Sequence, residues 1–235
     1  MELPRALDVL TLNVWGLPWP FARDRTRRFE RIARHFDRRS YDVIGVQEAW
    51  WPFGSGVAIP GLKLGTGGDS GLGLAGTLVR GAETELLRFD RASGADRLAS
   101  KGLLRTEVGG LTIAVTHLQA NDDAVDLRLD QVRQIVGWLG GVTGPILVLG
   151  DFNFVAADAG SEAALAEAGF RDAAAADPRP TWSPRNPFAT GRRRERFDRI
   201  YLRDGAAARW TVDRVQVLPR LWSDHWPLAA HLALG

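Results

Sequence analysis

Six stretches of this chain are strongly apolar: DVLTLNVW, YDVIGVQEAW, LTIAVTHLQ, PILVLGDFN, RFDRIYL and PLAAHLAL. Their β-branched character and short length predict strands. Between the first two, Phe29, Ile32, Ala33 and Phe36 fall on one helical face, with arginines opposite. Val125, Leu129, Val132, Val136 and Leu139 mark a second helix, which Asp122 or Asp123 is placed to cap. A third helix is predicted over 161–168, with Ser161 at its N-cap and Gly169 as its stop. LLRTEVGGLTIAV reads as a hairpin, because Gly109-Gly110 supplies the positive φ of a tight two-residue turn. Antiparallel pairing beside helical crossovers predicts mixed sheets covered by helices, in one layered α/β domain spanning 1–235.

The polar residues that interrupt this pattern matter most. Asn13 follows VLTL, Glu48 follows VIGVQ, His117 follows TIAVT, and Asp151 and Asn153 follow ILVLG. Asp198 opens DRIYL, and Asp224-His225 stands just before the last strand. Strand ends are rigid yet reach solvent, so side chains there can converge on one edge of a sheet stack. Each has a plainer reading when taken singly. GDFN is a turn sequence, Glu48 a solvated strand end, His117 a hydrogen-bonded edge residue, and Asp198 a partner for a nearby arginine. Together they form an inventory of oxygen ligands and imidazoles suited to metal-assisted phosphoester hydrolysis. Mg²⁺ prefers carboxylates, waters and phosphate oxygens, which points to Glu48 and Asp224 with the neutral amide of Asn13 nearby. Two histidines of near-neutral pKa can divide the proton work, one activating water and the other supporting the phosphate or leaving group. A carboxylate such as Asp198 can hold a histidine in the useful tautomer. Asp151 and Asn153 are two apart, so an extended backbone turns both to one side and Phe152 to the core. The other histidines fit less well: His35 lies off its apolar stripe and reads as solvated, and His231 reads as a strand residue on the less buried face.

Composition narrows the classes. The 235 residues are 45% hydrophobic and 25% charged, which fits a soluble globular fold. There is no cysteine, which excludes disulfides and thiolate metal sites. Formal net charge is only +2, and Lys63 and Lys101 are the only lysines. The excess of arginine fits either a base bias of the genome or phosphate recognition. The N-terminal stretch lacks signal-peptide regions, and no apolar run reaches membrane-spanning length. The expectation is a cytoplasmic monomer.

LNVWG, QEAW, THLQA, GDFN, FDRIYL and SDHW, in this order, resemble the endonuclease/exonuclease/phosphatase superfamily over nearly the whole chain. The resemblance implies a DNase I-like fold, a four-layer α/β/β/α sandwich with two central mixed β-sheets, and a divalent-metal phosphodiesterase site at one end. Asn13, Glu48 and Asp224 then resemble the metal-site residues, with Mg²⁺ as the expected ion and Mn²⁺ as a substitute. His117 looks like the phosphate-side histidine. Asp151 and Asn153 look like the pair that positions water and phosphate, and Asp198 like the carboxylate that orients His225, the general base. LNVWGLPWP, DSGLGLA, DRLASKGLL and THLQA are most similar to the neutral sphingomyelinase branch. That similarity makes Lys101 a candidate phosphate or headgroup contact with Asp96 as its partner; the plainer reading is a solvated lysine beginning a strand. FDRIYLR and SDHWPL are also similar to tyrosyl-DNA phosphodiesterases.

The chain departs from several nucleases of this fold, which place a tyrosine near the phosphate, because Tyr41 and Tyr201 sit in apolar contexts that suggest burial. AWWPFGSGVAIPG offers aromatic residues for a lipid surface, a lid or base stacking. Arg192, Arg193, Arg194 and Arg196 either attract an anionic substrate or form a solvated basic loop. Trp182 and Asn186 read as local anchors. The expected activity is therefore a metal-dependent phosphodiesterase acting on sphingomyelin or a related phospholipid at a membrane surface. The alternatives are a nuclease or DNA-adduct phosphodiesterase, and a non-catalytic module that binds lipid or nucleic acid.

Overall fold

The computed structural model describes residues 5–50, 63–64, 69–177 and 179–235. In chain order the elements are β1 (Ala6–Asn13), α1 (Arg25–Arg38), β2 (Val43–Gln47), β3 (Lys63–Leu64), β4 (Gly73–Ala75), β5 (Glu85–Arg88), β6 (Gly102–Val108) and β7 (Leu111–His117). They continue with α2 (Val125–Leu139), β8 (Ile146–Asp151), α3 (Ala159–Glu167), β9 (Arg171–Asp172), β10 (Asp198–Arg203), β11 (Trp210–Val217) and β12 (Leu228–Leu234). All six apolar stretches form strands. The aromatic stretch after Glu48 falls, beyond Trp50, outside the described residues.

The strands form two six-stranded mixed sheets, ordered β11-β12-β1-β2-β4-β3 and β5-β6-β7-β8-β10-β9. Each sheet has one parallel pair at its heart, β1 with β2 and β7 with β8, and antiparallel neighbours elsewhere. A parallel pair needs a crossover. Helix α1 supplies it in the first sheet and α2 in the second, so a helix lies on the outer face of each.

Three apolar clusters follow from this layering. Val9 and Val43 of one sheet meet Ile113, Val115, Leu147 and Leu149 of the other in the central core. Leu10, Leu12, Ile44 and Val46 pack outward on Phe29 and Ile32 of α1. Leu103, Ala114, Ile146 and Val148 pack outward on Val132, Ile135 and Leu139 of α2 and Leu165 of α3. The result is the α/β/β/α sandwich, with two inner faces interdigitating between the sheets.

Local details confirm some expectations and correct others. Gly109 and Gly110 take φ of 57° and 84° and close the β6–β7 hairpin. Gly169 takes φ of 84° just after α3. Tyr41 and Tyr201 are buried. Helix α2 is preceded at its N-cap by Ala124, without a side-chain cap from Asp122 or Asp123, because Asp122 is drawn to Arg193 instead. Helix α3 begins before Ser161, which is buried rather than capping. His35 is half-buried: its Nε2 is 3.1 Å from the Tyr41 hydroxyl and its ring centroid 4.6 Å from that of Trp222. His231 lies where expected, half-buried on β12, with Nδ1 3.0 Å from Asp8 Oδ1.

Candidate active site

The topology brings the strand-end residues to one rim. Parallel strands β1 and β2 end together, so Asn13 and the residue before Glu48 are register partners. Parallel strands β7 and β8 end together, pairing His117 with Asp151. Antiparallel β10 begins where β8 ends, which sets Asp198 opposite Asp151. Antiparallel β12 starts where β1 ends, so the loop before it delivers Asp224 and His225. Glu48, His117, Asp151, Asn153, Asp224 and His225 all line one cleft of about 370 Å³. Asn13 and Asp198 stand directly behind it.

Within the cleft the polar atoms form a connected set. Asn13 Nδ2 donates to Glu48 Oε1 at 2.9 Å and to Asp151 Oδ2 at 3.0 Å, while its Oδ1 accepts from the Trp15 amide at 2.9 Å. His225 Nδ1 lies 2.8 Å from Asp198 Oδ2. The other ring nitrogen, Nε2, faces Asp151 Oδ2 at 3.7 Å. His117 Nε2 reaches the same oxygen at 3.6 Å, so one carboxylate stands between two imidazoles. The Asn153 amide donates to Asp151 Oδ1 at 3.1 Å, and its Nδ2 to the Leu118 carbonyl at 3.2 Å. Asn153 has φ of 51°, so the pair does not meet through extended backbone as its spacing suggests. It meets through a tight turn that Asn tolerates. Glu48 also has positive φ, 58°.

Burial and mutual charge set the protonation tendencies. Burial raises the carboxyls of Glu48 and Asp151 above their ordinary range, against the Asn13 hydrogen bond in both cases. Asp224 is pushed up to about 6, mainly by burial, with the nearby Glu48 charge adding to the effect. Burial and then the Lys101 ammonium hold His117 well below its ordinary value, so it is neutral. For His225 burial opposes protonation, but the charges of Asp198, Asp151 and Asp224 outweigh it and hold the imidazole well above its ordinary value. Two histidines in one cleft are thus driven in opposite directions.

Lys101 is not solvated. It is 3% exposed. Its Nζ donates to Asp96 Oδ2 at 2.9 Å and to the Leu118 carbonyl at 3.0 Å, and lies 3.2 Å from His117 Nε2. Arg193 lines the cleft, pairs with Asp122 and lies over the Phe197 ring, whereas Arg192 and Arg194 are exposed. Arg196 pairs with Asp172, away from the cleft lining. Trp182 stands edge-on to His225 with centroids 5.1 Å apart. Asn186 anchors the site loop itself, donating to the Ser223 and Asp224 carbonyls at 2.9 and 3.0 Å.

Two supporting residues have no signal in the apolar pattern. Arg28, on α1, is fully buried. Its guanidinium donates to the carbonyls of Val14, Trp15 and Trp222 at 2.8–2.9 Å and lies 4.8 Å from the Trp15 ring centroid. It therefore ties the loop after Asn13 to the loop before Asp224. Gly16 donates to the Glu48 carbonyl at 3.0 Å, and a Cβ there would stand 2.1 Å from that oxygen. Only glycine permits this approach, which carries the chain past Glu48.

The residues fit a hard divalent cation. Among the described residues no three His, Cys, Asp or Glu side chains form a ready-made metal cage. Mg²⁺ does not require one, since it binds through one or two carboxylates plus waters and substrate oxygens. Glu48 Oε2 is buried and has no hydrogen-bond partner among the described residues, and the same is true of His117 Nδ1 and Asp198 Oδ1. An orphaned buried polar atom costs about 1–3 kcal/mol, so a cleft holding several is shaped for something more than its own side chains.

Fold and site together define a two-sheet α/β sandwich with a carboxylate and imidazole cluster at one end of its sheets. The chain matches the Endonuclease/Exonuclease/phosphatase family over residues 10–225, and it belongs to that family. A Drosophila melanogaster relative named "Putative neutral sphingomyelinase" is 27% identical over 233 residues, covering 85% of this chain and 52% of that protein. A Caenorhabditis elegans protein of the same name is 43% identical over 49 residues, covering 20% of this chain and 11% of that protein. The chain thus spans about half or less of the length of these curated relatives. Among solved structures, D. rerio TDP2 complexed with single strand DNA product superposes with a TM-score of 0.74 at 20% identity, covering 97% of this chain and 99% of that one. Sphingomyelinase C from Streptomyces griseocarneus gives 0.69 at 21% identity, covering 96% and 99%. A beta toxin from Staphylococcus aureus with bound magnesium ions gives 0.71 at 16% identity, covering 95% and 98%. No helix among the described residues is long and apolar enough to cross a membrane.

Proposed function

We propose that this protein is a divalent-metal-dependent phosphodiesterase of the sphingomyelinase or phospholipase C type, hydrolysing its substrate by in-line attack of water. The carrying observation is the Asp198–His225–Asp151 array, in which an oriented imidazole faces a cleft lined by Glu48 and Asp224. The lipid assignment rests on the neutral sphingomyelinase relative and on the branch motifs of the sequence.

Asp198 Oδ2 holds the Nδ1 proton of His225, leaving Nε2 to exchange a proton with water. Asp151, fixed by Asn13 and the Asn153 amide, orients that water from the other side. Neutral His117 lines the cleft, where it is suited to the non-bridging oxygens of the phosphate, and Lys101 stands behind it at 3.2 Å, adding positive charge to that side. Glu48 and Asp224 would hold Mg²⁺, or Mn²⁺ in its place. Asn13, expected from the sequence as a further ligand, turns its Nδ2 to Glu48 and Asp151 and its Oδ1 to the Trp15 amide. It would therefore position those carboxylates rather than donate its oxygen to the ion. When bound, the ion supplies positive charge to the phosphoryl oxygen and the leaving oxygen. Base catalysis requires His225 to lose the proton that three carboxylates stabilise. Asp224 is both one of those three carboxylates and a candidate ligand, so a cation held by it would offset its hold on the His225 proton. Most of the acceleration comes from positioning and charge stabilisation.

The test is turnover of bis(p-nitrophenyl) phosphate with Mg²⁺ and with EDTA, followed by a panel of sphingomyelin, lysophospholipid, plasmid DNA and a 5′-tyrosyl oligonucleotide. Metal-dependent turnover with preference for a lipid supports the reading. Preference for either nucleic acid overturns the lipid assignment, and no turnover of any phosphoester overturns the enzyme assignment.

A further inference from the structure

Large apolar side chains are exposed at few of the described positions, and the three most exposed lie on two connections that border the cleft. Leu98 is 91% exposed, Trp19 84% and Phe21 69%. They come from two separate connections, β1 to α1 and β5 to β6. Both connections border one apolar cavity of about 510 Å³, lined by Leu17, Pro18, Phe21 and Leu98 and reaching Glu48 and His117. The exposure is not a product of loose chain. The Phe21 amide bonds the Pro18 carbonyl at 2.9 Å, and Arg28 Nε donates to the Arg23 carbonyl at 2.8 Å. On the other loop, Asp96 is pinned by Lys101 and by the Ala120 amide, both at 2.9 Å. Anchored loops that still present apolar side chains to water mark an interaction surface.

We propose that Trp19, Phe21 and Leu98 form a rim that docks the protein on a lipid surface and sets the cleft mouth against the headgroup layer. This deepens the lipid-phosphodiesterase reading and rests on it for the substrate. Charge supports the choice of partner. Arg23 follows the Trp19–Phe21 segment and Arg97 precedes Leu98, both exposed. Of the acids that line the cavity mouth, Asp96 is turned inward to Lys101 and Asp69 pairs with Arg88, while Asp24 and Asp90 are exposed on the two loops. Apolar side chains flanked by guanidinium groups match an interface of acyl chains under phosphates. A tryptophan at such a boundary is favoured, because its ring is apolar with one polar edge. Other partners fit less well. A base-stacking groove needs cations tracking a backbone, whereas this rim is aliphatic at Leu98, and of the exposed arginines on its two loops, Arg23, Arg91 and Arg97, Arg91 is turned to Asp130. A stable dimer buries about 800 Å² on each partner, well beyond three side chains.

The experiment is flotation of the full chain with vesicles of phosphatidylcholine and phosphatidylserine in equal parts, comparing wild type with Trp19→Ser/Leu98→Ser. Wild type should float with the vesicles, and the variant's partition should fall roughly tenfold or more. Its turnover of bis(p-nitrophenyl) phosphate should stay within about twofold, as befits two surface changes. Wild type that does not float, or a variant that floats equally well, overturns the proposal. So does a variant that floats less but instead loses an oligothymidine complex or a dimer seen in the wild type. Vesicle binding without any phosphodiester turnover would leave the docking rim standing and remove the enzymatic reading. Turnover without vesicle binding would do the reverse.

Discussion

Asp198 touches His225 through one oxygen, and its other oxygen has no hydrogen-bond partner among the described residues, so its charge and its geometry both act on a single imidazole. Asp198→Asn keeps the shape and removes the charge. We expect kcat on bis(p-nitrophenyl) phosphate to fall roughly 10³–10⁴-fold, with the protein still folding cooperatively at a lowered melting temperature, because a buried partner charge of His225 is lost. The acid-side limb of the pH–rate profile, where activity rises as His225 loses its proton, should also move to lower pH, because Asp198 is one of the charges holding that proton. Gly16→Ala puts a methyl group against the Glu48 carbonyl. It should destabilise the fold by about 1–3 kcal/mol and weaken divalent-ion binding, read by denaturation and by metal titration. At this scale the candidate site was legible, because polar residues that end apolar strands stand out. Arg28 was not legible: on a helical wheel it belongs to the arginine face, and only the tertiary fold reveals the carbonyls above it. The Asp151–Asn153 pair was found for the wrong reason, since local φ rather than strand alternation brings it together.

At the scale of elements, each crossover helix holds a loop of the site. Helix α2 does so through Arg128, which is fully buried with Asp158, at 2.9 and 2.8 Å through two nitrogens. Its guanidinium also bonds the carbonyls of Gln119, Asn121 and Asp122, in the loop that follows His117. Asp158→Ala strands that charge in the interior. It should cost about 3–5 kcal/mol in urea denaturation, while replacing both partners with apolar residues should cost less. The six strands that build the centre of the sheets were legible from apolar runs, as was the β6–β7 hairpin from its glycine pair. Strand β11 was not, because as an edge strand it alternates exposed polar residues and is broken in register between Val212 and Arg214. The cap of α2 was misplaced because Asp122 pairs across space with Arg193, a contact that no local pattern records.

For the whole molecule, two sheets direct their strand ends to one rim and gather acids there that the fold would not otherwise tolerate. Burial raises Glu48, Asp151 and Asp224, so each contributes most stability below its unfolded pKa and loses it as pH rises through its folded value. Asp224, moved from 3.8 to about 6, alone accounts for a loss of roughly 3 kcal/mol between acid and neutral pH. Raised His225 has the same sign and loses its contribution as pH rises through its folded value. Depressed His117 has the opposite sign, contributing above 6.5 and losing that as pH falls. The acids outnumber it. In EDTA, unfolding free energy should therefore decline between pH 4 and 7, with a shallower slope in Asp224→Asn, and added Mg²⁺ should restore stability at pH 7.

The central claim is that Glu48 and Asp224, distant in sequence, share one cation. The most direct measurement is Mn²⁺ titration by electron paramagnetic resonance, applied to wild type, Glu48→Gln and Asp224→Asn. One tight site in wild type, weakened roughly tenfold or more in each variant, is the predicted result. Unchanged Mn²⁺ affinity in both variants would contradict it.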